Sequence, residues 1–401
     1  MVTGASRRPS CLPGICLVVI SLSACGTEPT PDPISAEIGA PLPGLSAPEL
    51  SRFEAGREPF NRQFTPENGL GPRFNENSCD ACHTSPASGG TGETIITKAT
   101  RFGADGRCDP LASLGGENLR LRVTPQAAAL GAERPPVPAE ASHQARFTTP
   151  FVFGLGLVEA IPQATLDAMA DPEDRDGDGI SGRTGTDAQG RPARFGRKAD
   201  VATLADFVES AFRLEMGVTT PHHPGEGSAG ALPAIPDGSD PAADPEIDLG
   251  TLEGATDFVR FLAPPTPRAP RDEEDRNTIE AGKALFESLG CASCHVPTLR
   301  TGEAEVAALS RQVVALYSDL LLHDMGPGLE GTCGPGAATT EWRTEPLLGL
   351  RHRRLFLHDG RVGRVMDAIL AHGGEAQAAR DRFAALDRLT QETLLRFLDT
   401  L

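Results

Sequence analysis

Aromatic side chains are scarce in this chain, with one Trp and one Tyr among 401 residues and aromatics making up 5%. A polypeptide this long exceeds the roughly 250 to 300 residues at which one hydrophobic core stops growing, so at least two domains are expected. With so few large rings, a prosthetic group is a candidate for part of the apolar core. Basic residues are also short, 37 Lys and Arg against 55 Asp and Glu, and the formal charge of -18 excludes nucleic acid as a partner, since phosphate binding needs clustered cations. The apolar run Cys11 to Leu22 is too short to span a bilayer. What is plentiful is Gly (44) and Pro (35), which predicts much loop.

The N-terminus reads as an address. Arg7 and Arg8 precede the apolar run, which ends in Leu22-Ser23-Ala24-Cys25, similar to a bacterial lipobox. Residues 1–24 are then a lipoprotein-type signal peptide, Cys25 carries lipid, and 25–45 is a flexible Pro-rich tether. The plainer alternative is an ordinary signal peptide with an incidental cysteine. Both export the protein, and the first predicts a periplasm-facing lipoprotein of the bacterial cell envelope, at the outer membrane.

Nine cysteines can then be sorted. Cys11 and Cys16 leave with the signal and Cys25 takes lipid. Cys79-Asp80-Ala81-Cys82-His83 and Cys291-Ala292-Ser293-Cys294-His295 are both C-x-x-C-H, in which two thiols add to the haem vinyl groups and the adjacent His lies under the iron. Zinc would need a further ligand pair for each motif, and neither sits in a βαβ context of the thioredoxin kind. Two covalently bound haem c groups are therefore expected, held through Cys79, Cys82, His83, Cys291, Cys294 and His295. The acidic chain would steer a small cationic periplasmic electron donor or acceptor protein towards it.

The sequence repeats itself around the motifs. Phe53-Glu54-Ala55-Gly56-Arg57-Glu58-Pro59-Phe60 precedes the first and Ile279-Glu280-Ala281-Gly282-Lys283-Ala284-Leu285-Phe286 the second. Phe147-Thr148-Thr149-Pro150 with Gly154-Leu155 follows one, and Trp342-Arg343-Thr344-Glu345-Pro346 with Gly349-Leu350 the other. Asn277 is a candidate cap for the second opening helix, with Glu280 at N3, and Gly282 lets it cross a closing helix over Thr390 to Leu401. Apolar helices over Val201 to Met216 and Leu252 to Leu262 read as core, and Ala263 to Asp275 as a linker. The expected fold is mainly α with long loops: two cytochrome c-like domains, 46–265, enlarged by insertions, and 266–401.

Phe74-Asn75-Glu76-Asn77-Ser78-Cys79, Gly154 to Pro162, Leu322-His323-Asp324-Met325-Gly326-Pro327-Gly328, Leu357-His358-Asp359-Gly360 and His372-Gly373-Gly374-Glu375-Ala376 carry a family resemblance. Nearly all of the mature chain resembles the di-haem oxidoreductases, a family of peroxidases and thiol oxidoreductases. More remotely it is similar to bacterial di-haem cytochrome c peroxidases and to the di-haem enzyme that matures methylamine dehydrogenase. The resemblance implies that one haem stores or relays electrons while the other meets peroxide. Those relatives place a Trp between the haems from the first domain, whereas the Trp here is Trp342, in the second copy.

Four further sites are expected. Val365, Ile369 and His372 are spaced to put His372 on the buried face of a short helix, as sixth ligand of the second iron, with Met325, His323 and His358 as alternatives. Glu159, the one acid in the apolar run Phe151 to Ile161, is the candidate catalytic acid at the first haem, or else a structural carboxylate bound to Arg146 or a backbone donor. Asp174, Asp176 and Asp178 resemble the start of a calcium loop, though Gly185 stands where the bidentate Glu belongs, and an Asp-rich solvated turn remains open. Cys108 and Cys333 are left to form a disulfide, or the reactive pair that the thiol-oxidoreductase label invites. The expected activity is peroxidase-like, with the C-terminal haem relaying electrons and the N-terminal haem reactive; the alternatives are an electron carrier or an oxidase of an organic or thiol substrate.

Overall fold

A computed structural model describes residues 1–2, 31–225 and 234–401. The signal segment and Cys25 lie outside the described residues. Those described hold eleven α-helices: α1 (Ala47–Asn61), α2 (Cys79–Cys82), α3 (Pro125–Ala129), α4 (Leu155–Glu159), α5 (Gln163–Met169), α6 (Leu204–Glu215), α7 (Leu249–Phe261), α8 (Glu273–Ser288), α9 (Val365–Ala371), α10 (Gln377–Ala384) and α11 (Arg388–Leu398). None is long and apolar enough to cross a membrane.

The helix before the first motif starts where its sequence supplies a capping box. Ser46 is the N-cap of α1, and its own N–H donates to Glu49 Oε2 at 2.7 Å. Phe53, Gly56 and Phe60 form the buried face of α1, which crosses α7. Gly56 is required there, because a Cβ would stand 2.1 Å from the Gly254 carbonyl oxygen. Phe258 of α7 fills the rest of the crossing, 5.1 Å from Phe53 and 4.7 Å from Phe60 between ring centroids. The helix read from sequence as core packing is thus the closing helix of the first copy.

The second copy repeats this with α8 and α11. A Cβ on Gly282 would lie 2.4 Å from the Thr393 carbonyl oxygen and 2.6 Å from Phe397 Cβ. The cap differs from the sequence expectation. Asp272, not Asn277, is the N-cap, accepting from the Asp275 N–H at 2.8 Å. Three acids in the first turn favour the earlier start because they face the positive end of the helix. The charged end of the expected linker is therefore helical.

Residues 33–401 make one compact unit. A second apolar cluster, built on Phe286, Leu350, Phe383, Leu394 and Phe397, belongs to the second copy. The larger cluster spans both copies, since Leu299, Val314, Leu316, Leu321 and Leu348 pack with Phe53, Phe153 and Phe258. The chain after the second motif thus completes the first core, and the body does not part at residue 265. The Pro-rich tether is shorter than expected for the same reason. From Ile34 onward it is docked: the Ile34 N–H donates to Val313 O, Leu42 N–H to Phe261 O, and Leu42 is buried.

The insertion in the first copy is a three-stranded antiparallel sheet, with Ile95–Phe102 between Cys108–Asp109 and His143–Thr148. Its register pairs Ile96 with Phe147 and Phe102 with Cys108. A disulfide joins Cys108 to Cys333, with Cα atoms 5.7 Å apart across 225 residues of sequence. The structural bridge expected for the two leftover cysteines is formed, and it ties the insertion to the second copy.

Candidate functional site

Each C-x-x-C-H motif sits on one tight helical turn that brings cysteines and histidine to one side. At the first, Ser78 Oγ accepts from the Ala81 N–H at 3.0 Å and starts α2, and the His83 N–H closes the turn on Cys79 O at 2.9 Å. His83 Nδ1 donates to the Gly90 carbonyl at 3.0 Å, which leaves Nε2 as the lone-pair nitrogen available to a metal. At the second, Cys291–Ser293 form a 3-10 turn, the His295 N–H reaches Cys291 O at 2.9 Å, and Nδ1 donates to the Tyr317 carbonyl at 2.9 Å. The matched phenylalanines of the repeat back both rings, Phe60 at 6.2 Å from His83 and Phe286 at 6.4 Å from His295.

Cys82 and His83 lie on the wall of a cavity of about 410 Å³. Phe147, Phe151, Phe153, Phe195 and Phe207 supply apolar walls, and Arg197, Arg343 and Arg353 face the same space. Arg353 Nε is buried there with no hydrogen-bond partner. A thioether position, an oriented imidazole, apolar faces and an orphaned guanidinium N–H suit an amphiphilic ring bearing acidic arms, so the residues fit a haem. Among the described residues of the lining, His83 is the single histidine and there is no methionine.

One buried acid of this wall is Glu215, at the end of α6. It accepts from Asn75 Nδ2 at 2.6 Å and from Asn118 Nδ2 at 2.7 Å, and burial raises its pKa despite both donors. Burial, followed by the Glu215 charge, pushes the Cys82 thiol up to about 12, so the two groups are within Coulombic reach. Sequence reading passed over Glu215 because it ends a helix taken as core; an acid closing an apolar stripe was the available signal.

Glu159 does not line the cavity, although Leu155 and Val158 of the same short helix do. Its Oε1 accepts from the Leu204 N–H at 3.0 Å and its Oε2 from Arg260 Nε at 2.9 Å. The geometry therefore makes it a structural carboxylate, capping α6 and pairing with Arg260 rather than Arg146. The expected catalytic placement is corrected, because one turn of α4 cannot aim both Val158 and Glu159 at the same space.

In the second copy, α9 places Val365, Met366 and Ile369 against the Phe286 cluster and ends at His372. His372 Nδ1 donates to Ala368 O at 2.7 Å, again leaving Nε2 free of that bond. Burial and, less strongly, His372 lower the His295 pKa to about 4, which brings the two imidazoles into one environment. Of the alternatives, His323 stands beside the second motif, its Nδ1 3.7 Å from Cys294 Sγ, but both of its nitrogens face carboxylates, Nε2 2.8 Å from Asp319 and Nδ1 2.7 Å from Glu375. His358 stacks on Trp342 at 3.9 Å, and Met325 packs on the Phe147–Trp342 cluster. Trp342 also carries Lys198 Nζ at 3.6 Å over its ring.

Of the remaining expected sites, Asp174, Asp176 and Asp178 each bring a carboxylate oxygen within 4.8 Å of the others. Of the neighbouring acids, Asp171 accepts from the Arg175 N–H and Asp187 binds Arg191. His143 opens a strand and reaches Glu330, His222 meets Glu209, and Met216 is core.

No curated protein matches the chain. Among solved structures, hydrazine synthase of Kuenenia stuttgartiensis is 15% identical, covering 97% of this chain and 100% of that one, with a TM-score of 0.42. A MauG-like protein associated with microbial copper homeostasis is 14% identical over 93% of this chain and 94% of its own, TM-score 0.39. The diheme peroxidase BthA from Burkholderia thailandensis is 15% identical over 92% of each chain, TM-score 0.41. The family model described as "Di-haem oxidoreductase, putative peroxidase" matches residues 139–401, which include the second C-x-x-C-H. With more than half of its length matched, the chain belongs to the di-haem oxidoreductase family.

Proposed function

We propose that this protein is a c-type di-haem peroxidase built from two cytochrome c-like halves, with the first haem reactive and the second relaying electrons. The observation that carries the reading is the cavity beside Cys82 and His83, whose described lining offers no second histidine and no methionine to close an iron. Bound through Cys79, Cys82 and His83, a haem there supplies an iron that takes electrons and binds peroxide.

The protein's own residues do the rest. Gly90 orients His83, the phenylalanine walls exclude water, and Glu215 on the cavity wall is the group placed to pass a proton, burial tilting it toward its neutral form. His295 and His372 would together hold the second iron, which suits a relay. Calcium held by Asp174, Asp176 and Asp178 would brace a loop whose far end donates from Ser181 Oγ to Glu375 at 2.8 Å, beside His323. The protein is exported, anchored by lipid on Cys25, faces the periplasm, and exchanges electrons with a small cationic carrier protein drawn by the charge of -18.

The spin states of the as-isolated holoprotein test this. One high-spin and one low-spin haem are expected by electron paramagnetic resonance, with peroxide consumed in the presence of a reduced carrier. Two low-spin haems and no peroxide turnover would make it an electron carrier instead.

A further inference from the structure

Four charged side chains gather on the cavity wall, three cationic and one anionic. Glu345 is shared by three arginines: Arg353 Nη1 donates to Oε1 at 2.9 Å, Arg343 Nη2 to Oε2 at 3.2 Å, and Arg197 Nη1 stands 3.5 Å from Oε2. Backbone acceptors fix the forks, Arg343 Nε on Gly196 O at 2.8 Å, Arg353 Nη2 on Pro346 O at 2.9 Å and Arg197 Nη2 on Thr148 O at 3.0 Å. The arginine side chains are only 9% to 14% exposed. Burial works against the charged form of Glu345, but Arg197, Arg353 and Arg343 hold it at about 2, so it is ionised and the cluster keeps its sign.

Three guanidinium groups share one carboxylate, with Asp200, Asp319 and Asp359 acting on them more weakly, and the whole cavity lining carries seven Lys and Arg against four Asp and Glu. Buried charge without a counterion is costly, and Arg353 Nε is buried without a hydrogen-bond partner. A planar fork matches a carboxylate better than a point charge does. We propose that Arg197, Arg343 and Arg353, organised by Glu345, form a cradle for the two propionate carboxylates of the haem attached at Cys79 and Cys82, and that this cradle sets its reduction potential. The inference rests on the haem reading above and adds the residues that tune the first haem separately from the second.

The experiment is a spectroelectrochemical titration of both haems in the holoprotein and in Arg353→Gln, Arg353→Lys and Glu345→Gln, with covalent haem counted first by the pyridine haemochrome method. Removing a positive charge beside the haem favours its oxidised, more positive state, so Arg353→Gln should shift the first midpoint potential negative. Glu345→Gln removes the offsetting charge and should shift it positive, while Arg353→Lys should stay near the parent and the second haem should not move. Loosened packing alone would shift both deletions the same way. A parent with fewer than two covalent haems overturns the haem reading and the cradle together. A parent with two, whose variants keep its potentials or move in one common direction, overturns the cradle alone.

Discussion

The two copies use the same scaffold and differ in what they leave around the iron site. Each crosses an opening and a closing helix at a glycine, Gly56 on Gly254 and Gly282 on Thr393, and each sets a phenylalanine beside a histidine held by a main-chain carbonyl. The first copy then adds a sheet and a wide cavity bearing acids and a cationic cluster, while the second packs on its Phe286 cluster a helix that ends in His372. On the proposed function, scaffold and reactivity are separable: what repeats would hold a haem, and what does not repeat would decide what that haem does.

The sharpest way to break this contrast is at His372. His372→Ala should convert the one low-spin haem to high spin, leaving two similar irons, and an unaltered spectrum would remove His372 from the ligand set. Next comes an acid of the cavity. Glu215→Gln should slow peroxide consumption by about 100-fold with both haem spectra intact. Glu159→Gln should leave that rate alone and cost about 1 kcal/mol of stability, as the loss of one partly exposed hydrogen-bonded ion pair. Equal rates for the two variants would return Glu215 to a packing role.

The shared scaffold can be tested by symmetry. Gly56→Ala and Gly282→Ala each force a Cβ against a backbone oxygen, and each should destabilise by about 1–3 kcal/mol in urea unfolding. A loss at only one site would mean that the two crossings are not equivalent. The smallest effect is expected from calcium. Chelation should lower the melting temperature by a few degrees, since a metal bound only to the native state stabilises by mass action. No change would leave Asp174, Asp176 and Asp178 a solvated turn.

Local patterns were readable from sequence and long-range partners were not. Both haem motifs, the repeat and its glycines are contiguous strings whose meaning follows from covalent chemistry or helix geometry. The Cys108–Cys333 bridge followed from compartment and elimination, without any need for distance. Glu159 was misplaced because its partner Arg260 lies 101 residues away and periodicity carries no information about that pairing. The cradle escaped for the same reason, although Arg343 and Glu345 stand within the very segment that marked the repeat, where the first copy has Thr148 and no charge. The docking of residues 34–42 depends on distant surfaces, at Phe261 to Pro264 and at Val313, and the early start of α8 on acids that composition assigned to a linker.

The bonds from His83 to Gly90 O and from His295 to Tyr317 O have a consequence for how such a protein can diverge. A peptide oxygen neither titrates in the working range nor changes when a side chain is replaced. On the proposed ligation, the electron-donating strength of both imidazoles is therefore a set point indifferent to pH and to replacement of the side chain at the accepting residue. Any difference in driving force between the two centres has to be written on the opposite face or at the rim of the ring, which is where the halves of this chain have drifted apart.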